Sequence, residues 1–284
     1  MNAFDLVSVV ITTYNRSDAL LAVLHGLSLQ TDRNFEVIVA DDGSRAEHQR
    51  RIFESAVAKE LRVVHVWHPD VGFTASRVRN RGVAASSGQY VVFLDGDCVP
   101  ERDFVARHKW LAEPGCFVNG SRVLLSPAIT QRVLAGAETI CGRSGLYWIK
   151  QRILGHASKL TGLLRLPERF GRVERTFSWK GIRSCNMGVW RSDFERVDGF
   201  DESFVGWGHE DADFVLRLHH SGVIRKNGFC ATEVFHLWHK EAARDQESQN
   251  ARTVTERAKT AVILPVSGFS QIRINDDAVV TRLG

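Results

Sequence analysis

The chain has 284 residues, of which 44% are hydrophobic and 25% charged, a composition that allows a sizeable core and excludes a disordered or fibrous protein. Its net charge of +4 arises in residues 143–183, where ten Lys or Arg accompany two Glu. The remaining residues carry 27 basic and 31 acidic side chains, so the sequence disfavours a nucleic-acid partner.

The five cysteines are odd in number and show no metal-ligand spacing, which argues against a disulfide framework or a zinc knuckle. They favour a reducing compartment. A strand-like run begins within six residues of the first Met and leaves no room for a signal peptide. No apolar run approaches the ~20 residues of a membrane span. We therefore expect a cytoplasmic protein, with the inner face of the cell membrane as a further possibility.

Strand-like and helical patterns alternate over the first hundred residues, which predicts a parallel α/β sheet. The helix that begins near residue 17 has Ser17 or Asp18 as its predicted N-cap. We predict strands at 7–12, 35–44, 62–67 and 90–97, and helices at 17–30, 46–59 and 74–87.

The later residues are less regular and contain no repeat or low-complexity linker. Further helix and strand are expected over 98–135. Beyond the basic segment we predict a helix at 210–222, a strand or loop at 231–239 and a polar helix at 241–260. The expected organisation is one domain over 1–240, with 143–183 as an insertion, followed by a helical extension over 241–284.

Two acids, Asp95 and Asp97, follow the predicted strand at 90–97. Residues two apart on a strand point the same way, and converging carboxylates favour a hard cation such as Mg²⁺ or Mn²⁺ between them. An ordinary acidic turn is the alternative, since Asp-Gly is common in turns. His236 and His239, three residues apart, are candidate further ligands or packed side chains.

The strand end at Asp41 and Asp42 offers carboxylates to a ligand, although an Asx-turn or helix cap explains them too. Arg77, Arg79 and Arg81 at a helix start suit phosphate, or else form a solvated helix face. The sequence contains neither a P-loop motif nor a dinucleotide fingerprint after the first strand.

The stretch "VGWGHEDADF" concentrates three acids, Glu210, Asp211 and Asp213, behind a tryptophan flanked by glycines. Acids at a helix start are stabilised by the macrodipole, which accounts for one or two of them. The ring of Trp207 suits stacking against a sugar or base, and a carboxylate beside it suits a general base acting on a hydroxyl.

The motifs "VVITTYNR", "VIVADDGS", "RNRGVAASSGQYVVFLDGDC", "CNMGVWRSDFERVDGFDE" and "GWGHEDADFVLRL" together resemble inverting family 2 glycosyltransferases of the GT-A fold. The resemblance covers about residues 7–240. The last two motifs are similar to the C-terminal half of chondroitin-polymerase, polypeptide N-acetylgalactosaminyltransferase and β-1,4-galactosyltransferase type enzymes. The resemblance to family 2 implies a Rossmann-like α/β fold, with a mixed and mainly parallel sheet flanked by helices and with helical additions on the acceptor side.

The resemblance also implies roles for individual residues. Asp211 would be the catalytic base and Glu210 a hydroxyl contact. Asp97 and His236 would hold Mn²⁺ or Mg²⁺ with Asp95, which also faces the donor, and His239 is held in reserve. The residues expected to bind nucleotide or donor sugar are Thr12, Tyr14, Arg16, Asp42, Arg77, Arg79, Asn186, Met187 and Trp207.

The basic segment contains "YWIKQRILGHASKLTGLLRL", residues 147–166, which departs from the compact family core. Its apolar side chains at 149, 153, 157, 160 and 164 predict one helical face flanked by basic residues. Such a helix suits an anionic membrane surface. Packing on the core, or recruitment of an acidic or phosphate-bearing acceptor, are the alternatives.

The implied activity is inverting transfer of a sugar from a nucleotide diphosphate sugar, a UDP-sugar by expectation, to a glycan or glycolipid hydroxyl. Two alternatives stay open. A sugar nucleotidyltransferase needs a glycine-rich basic loop after the first strand, which "TTYNRSD" does not supply. A non-catalytic nucleotide-sugar-binding protein would not need Asp211.

Overall fold

A computed structural model of the protein describes residues 5–167, 171–179, 181–240, 246–272 and 278–284. The strands are β1 (Val7–Thr13), β2 (Phe35–Asp41), β3 (Val64–Trp67), β4 (Tyr90–Asp95), β5 (Cys98–Pro100), β6 (Cys116–Asn119), β7 (Ser121–Leu124), β8 (Val173–Glu174), β9 (Asn186–Trp190), β10 (Ile224–Asn227), β11 (Glu233–His236) and β12 (Val279–Arg282).

The helices alternate with these strands through the first half of the chain. They are α1 (Ser17–Ser28), α2 (Ala46–Glu54), α3 (Ala56–Glu60), α4 (Ala75–Ala84), α5 (Phe104–Leu111), α6 (Pro127–Leu134), α7 (Gly145–Ile153), α8 (Arg191–Arg196), α9 (Glu210–His220) and α10 (Glu247–Arg257).

Nine strands form one mixed sheet in the order β12-β3-β2-β1-β4-β9-β6-β10-β8. The adjacent strands β3, β2, β1 and β4 run parallel, whereas β9 is antiparallel to both of its neighbours. A smaller sheet, β5-β11-β7, lies beside it. The strands of the parallel part are apolar along their length because both faces are covered, and the fold class expected from the sequence is confirmed.

The sequence placed most elements within a few residues, and the differences have local causes. Helix α1 is capped by Arg16, without a side-chain hydrogen bond, rather than by Ser17 or Asp18. The single helix expected at 46–59 is divided at Ser55, whose extended backbone separates α2 from α3. The predicted helix at 241–260 is α10 where it is described; residues 241–245 of it lie outside the described residues.

The expected helix over 147–166 is wrong, because α7 ends at Ile153. Gly155 has a φ of +74°, a left-handed conformation that ends a helix and that glycine adopts without penalty. Ala157 then pairs with Leu125 in an isolated bridge and is buried. The helical spacing of apolar residues therefore continues in the sequence beyond Ile153, where the helix itself ends.

The residues after 240 are not a purely helical extension. Strand β12 pairs antiparallel with β3 and becomes the edge strand of the large sheet. Helix α10 packs against α9, where Val254 joins a small core with Phe204, Ala212 and Leu216. The described part of this region is thus built into the fold of residues 5–240. Within the described residues, no helix is both long enough and apolar enough to cross a membrane.

A buried ionic cluster fixes α9 to α10. Asp213 accepts hydrogen bonds from Arg217 Nε at 2.8 Å and from Arg257 Nη1 at 2.6 Å. Nη2 of Arg257 donates a hydrogen bond of 2.7 Å to Asp201 Oδ2. Asp213 and Arg217 are both inaccessible to solvent, so removing one partner leaves an uncompensated buried charge.

We expect Asp213→Asn to lower the free energy of unfolding by about 3 kcal/mol, because Arg217 would keep its charge and lose its partner. Urea denaturation measures the change. Glu256→Gln is the matched control: it removes an exposed partner of Lys259 and should cost less than about 1 kcal/mol. Equal losses in the two variants would contradict a structural role for the Asp213 cluster.

Candidate active site

The carboxyl ends of the parallel strands bring polar residues to one edge of the large sheet, where α/β proteins bind ligands. Thr12 on β1 lies in register with Asp95 on β4. The Thr12 hydroxyl donates a hydrogen bond of 3.0 Å to Asp95 Oδ1. Gly96 follows, and a Cβ there would stand 2.8 Å from the Thr12 carbonyl oxygen, so the turn that leads to Asp97 needs glycine.

Asp97 faces two histidines from the segment that ends the smaller sheet. Its Oδ1 lies 3.6 Å from Nε2 of His236, and its Oδ2 lies 3.2 Å from Nε2 of His239. The Leu237 amide donates to the Asp97 carbonyl oxygen at 2.9 Å, which ties the two segments together. Among the described residues, the group whose ligand atoms converge is Asp97, Cys98 and His236, which does not include Asp95.

The donor chemistry of this group fits a hard divalent cation. Burial lowers the pKa of His236, with Asp97 opposing the shift, so the imidazole is neutral and can offer a lone pair. Burial raises the pKa of the Cys98 thiol well above its usual range, which keeps it protonated. A protonated thiol is a poor ligand for Mn²⁺ or Mg²⁺, so the fitting donors in this group are the Asp97 carboxylate and the His236 imidazole.

Arg79 on α4 joins this site to the start of α9. One arm of its guanidinium, Nη1, lies 3.0 Å from Glu210 Oε1, and Nη2 lies 3.5 Å from Asp95 Oδ1. The side chain is only 4% exposed. Burial would lower the pKa of Arg79, but Glu210, Asp95 and Asp211 raise it, so the guanidinium stays protonated. The two acidic clusters that the sequence singles out therefore lie on either side of one buried charge.

The backbone before α9 is folded into a tight loop. Gly206, Gly208 and His209 all have positive φ, and His209 at +70° is the residue that precedes the helix. The Gly206 amide donates to the Phe73 carbonyl oxygen at 3.0 Å. From α10, Asn250 Nδ2 donates to the Gly208 carbonyl oxygen at 2.9 Å. The loop is thus fixed on both sides, and it sets where the first acids of α9 lie.

Asp211 has the environment of a base that operates near neutrality. Burial and the neighbouring Glu210 carboxylate raise its pKa to about 7, although Arg79 opposes the shift. Its Oδ2 accepts from the Ser184 amide at 3.3 Å, and its Oδ1 accepts from the Ala212 amide at 2.8 Å. These two hydrogen bonds hold the Asp211 carboxyl group in place.

The three crowded acids therefore have three different environments. Glu210 is paired with Arg79, Asp211 is the carboxyl group with the raised pKa, and Asp213 is sealed in the ionic cluster with Arg217. The first two interact with Arg79, which also reaches Asp95. The macrodipole explains why acids are tolerated here, and their contacts explain why there are three.

Asp42, expected at the nucleotide base, is engaged by the protein. Thr74 donates to it twice, through its hydroxyl and through its amide at 2.9 Å. The carboxylate is buried and holds Thr74, the residue that precedes α4. Contact of Asp42 with a nucleotide base stays a prediction.

Tyr14 and Arg16 lie at the same edge of the sheet, beyond β1. Tyr14 is exposed, and its hydroxyl donates to Asp70 Oδ2 at 2.8 Å. Arg16 is half-buried and meets Asp18 at 3.4 Å. An exposed ring beside a carboxylate is the arrangement that a nucleotide base requires for stacking and hydrogen bonding. Arg77 on α4 and Trp207 in the loop before α9 are half-buried.

Asn186 and Met187 do not line an open pocket, which corrects the expectation for both. Met187 is inaccessible and belongs to the core beneath the sheet. Asn186 donates to the carbonyl oxygens of Ser121, at 3.0 Å, and Thr232, and its Oδ1 lies 3.0 Å from His108 Nε2. A Cβ on Gly120 would collide with Asn186, so the backbone passes directly against it. Asn186 links strands of the scaffold.

Arg122 on β7 is a candidate that the sequence did not single out. Its Nη1 lies 3.9 Å from Cys185 Sγ. Burial would lower its pKa, whereas Cys185, Cys98 and Asp95 raise it, which places the cation beside the strand-end acid. Within the ranges that the structure describes, Arg122 makes no ion pair. A single arginine in "NGSRVLL" carries no pattern from which this position could be found.

Comparison with known proteins assigns the fold and the family. The description "Glycosyl transferase family 2" matches residues 8–195, and "N-terminal domain of galactosyltransferase" matches residues 168–240. The chain belongs to glycosyltransferase family 2, a family of enzymes of the glycosyltransferase class. The motif resemblance noted in the sequence is confirmed.

Among curated relatives, validoxylamine A glucosyltransferase of Streptomyces hygroscopicus subsp. jinggangensis is 31% identical over 235 residues, covering 77% of this chain and 52% of that protein. Chondroitin synthase of Escherichia coli is 28% identical over 277 residues, covering 87% and 36%. The chain thus spans about half, or less, of the length of these relatives.

Two solved structures share the fold. The mannosyltransferase PcManGT of Pyrobaculum calidifontis, in complex with GDP-Man and Mn²⁺, superposes with a TM-score of 0.55 and 17% identity, covering 85% of this chain and 62% of that one. TarS of S. aureus gives a TM-score of 0.57 at 14% identity, covering 88% and 39%.

We expect Arg79→Gln to raise the pKa of Asp211 above about 7, because the cation that lowers it is lost. An opposite charge at this range shifts a carboxyl pKa by roughly one unit or more. Carbon-13 NMR titration of the aspartate carboxyl groups measures it without an activity assay. Arg16→Gln, which removes a cation paired with Asp18, is the matched control. An unchanged Asp211 titration would contradict the bridging position of Arg79.

Proposed function

We propose that this protein transfers a sugar with inversion from a nucleoside diphosphate sugar, UDP-linked by preference, to a hydroxyl of a glycan or glycolipid. The observation that supports the proposal is the bridge from Asp95 through Arg79 to Glu210, because it brings a donor-side acid close to the neighbour of the candidate base Asp211. Membership of family 2 supports the reaction class.

The donor side is assigned to the strand edge. Asp97, His236 and His239 would hold Mn²⁺ or Mg²⁺, and the bound ion supplies positive charge that stabilises the departing diphosphate. Arg122, without an ion pair among the described residues, is placed to add a second positive charge there. Tyr14 offers an exposed ring to the nucleotide base.

On the other side of the cleft, Asp211 accepts the proton of the acceptor hydroxyl. The hydroxyl oxygen forms a bond to the anomeric carbon while the bond from that carbon to the diphosphate breaks. The nucleoside diphosphate leaves with the bonding electron pair, and the configuration inverts. A carboxylate with a pKa of about 7 is a stronger base than an ordinary aspartate, and about half of it is ionised at neutral pH.

The alternative activities lack a supporting observation. A sugar nucleotidyltransferase would need a basic, glycine-rich loop after β1, but the chain enters α1 at Ser17 after a short polar turn. A protein that only binds nucleotide sugars would have no use for a carboxyl group with a raised pKa opposite the donor side. The choice of UDP rests on the family resemblance, and thermal-shift screening of UDP- and GDP-sugars with Mn²⁺ tests it.

We expect Asp211→Asn to lower kcat by about 10² to 10⁴, the range for loss of a general base, while donor affinity stays close to that of the wild type. In the unsubstituted enzyme, kcat/KM should rise with pH through about 7 as Asp211 loses its proton. Transfer assays and isothermal titration with donor separate the two effects. An equal loss of sugar transfer and of donor binding would indicate that Asp211 has a structural role and is not the base.

We expect Asp97→Ala and His236→Ala to abolish the dependence of donor affinity on Mn²⁺, because each removes a donor atom from the proposed metal site. Cys98→Ser is the matched control: the sulfur lies 3.6 Å from Asp97 Oδ1 but is protonated, so the metal dependence should persist. Donor titrations with and without Mn²⁺ provide the measurement. If the donor affinity of Asp97→Ala still depended on Mn²⁺, the metal would bind at a different site.

A further inference from the structure

Helix α7 presents two opposite faces, and only one of them is packed. Trp148 is buried and stacks on Phe235 of β11, with ring centroids 4.0 Å apart and the planes 8° from parallel. Gln151, on the same side of the helix, is buried as well. This contact packs α7 against β11, the strand that ends in His236.

The other face of α7 is apolar and open. Leu146 and Ile153 are each 80% exposed, Leu154 is 54% exposed and Ile149 is 42% exposed. Spacings of three, four and seven residues place Leu146, Ile149 and Ile153 on one side of a helix. We call these four residues the α7 apolar face. Isolated exposed apolar residues are ordinary, but three on one helix side, with Leu154 directly after the helix, form a patch.

Positive charge surrounds this patch. Lys150 and Arg152 are exposed and lie, by helical spacing, on either side of the row formed by Leu146, Ile149 and Ile153. Neither has an ion pair among the described residues. Residues 143–167 contain five Lys or Arg and no acid. A cationic rim around apolar side chains complements an anionic lipid surface, where the apolar groups enter the acyl boundary and the charges stay at the headgroups.

The size of the patch argues against a second copy of the chain as its occupant. A helix of nine residues is about 14 Å long and 10 Å wide, which offers on the order of 140 Å² of face. A stable protein interface needs roughly 800 Å² on each partner. Two copies would also bring their cationic rims together. A bilayer has neither restriction, because it is continuous and carries the opposite charge.

We propose that the α7 apolar face with Lys150 and Arg152 docks the protein on the surface of an anionic lipid bilayer. The docking is peripheral, through one short helix, and involves no membrane span. Since Trp148 anchors α7 to Phe235, the neighbour of His236, the docked helix holds the candidate active site beside the lipid surface. A glycolipid acceptor would then be reached without leaving the bilayer.

Vesicle flotation tests the proposal with the full chain and without an enzymatic assay. The probes are vesicles of phosphatidylcholine alone and vesicles containing phosphatidylglycerol. We expect flotation with the anionic vesicles only. Lys150→Gln with Arg152→Gln should weaken binding about 30-fold, at about 1 kcal/mol for each basic residue near the surface. Leu146→Asn with Ile153→Asn should weaken it by about tenfold for each side chain.

Matched variants separate this face from general charge and hydrophobicity. Arg50→Gln with Lys59→Gln removes the same two charges from exposed positions on α2 and α3, and Val266→Asn removes an apolar side chain that is 70% exposed elsewhere. Both should float like the wild type, and circular dichroism should show every variant folded. The proposal is overturned if the wild type does not float, if the α7 variants float equally, or if light scattering shows a dimer that Leu146→Asn with Ile153→Asn dissolves.

Discussion

Burying a guanidinium charge is costly unless acids compensate it, and Arg79 is compensated by partners from two separate segments of the chain. Asp95 lies sixteen positions away along the sequence, and Glu210 lies 131 positions away. The need to compensate one charge therefore aligns the end of β4 with the start of α9. The same cation moderates the pKa of Asp211, so the relative position of the two acidic clusters and the strength of the candidate base both depend on Arg79.

The C-terminal region supports this alignment from behind. Arg257 on α10 pairs with Asp213, two residues after Asp211, and Asn250 holds the carbonyl of Gly208 before the helix begins. In both contacts the α10 residue lies beyond the region matched to family 2 and to the galactosyltransferase domain, which together end at residue 240. The loop and helix that carry the candidate base are consequently held in part by residues that follow the region that defines the family.

The sequence predicted the strands of the parallel sheet and its acidic ends well, because apolar runs bounded by polar turns report burial directly. It failed where the outcome depends on the direction of a side chain. Asn186 and Met187 stand in a recognisable motif, yet both point into the interior. Apolar spacing also continued past Ile153, although Gly155 ends the helix. Arg79 was recognised as a cation facing anions, but its anions are the protein's own carboxylates, which only the tertiary fold reveals.

The central claim is that the Asp97 and Asp211 carboxyl groups face one cleft, and paramagnetic broadening by Mn²⁺ measures this directly. Carbon-13 spectra of the aspartate carboxyl groups would be recorded as Mn²⁺ is added, with Mg²⁺ as the diamagnetic reference. The account predicts that Asp97, Asp95 and Asp211 broaden together, while Asp32, just before β2 at the opposite edge of the sheet, stays sharp. Broadening of Asp97 with an unchanged Asp211 signal would contradict it.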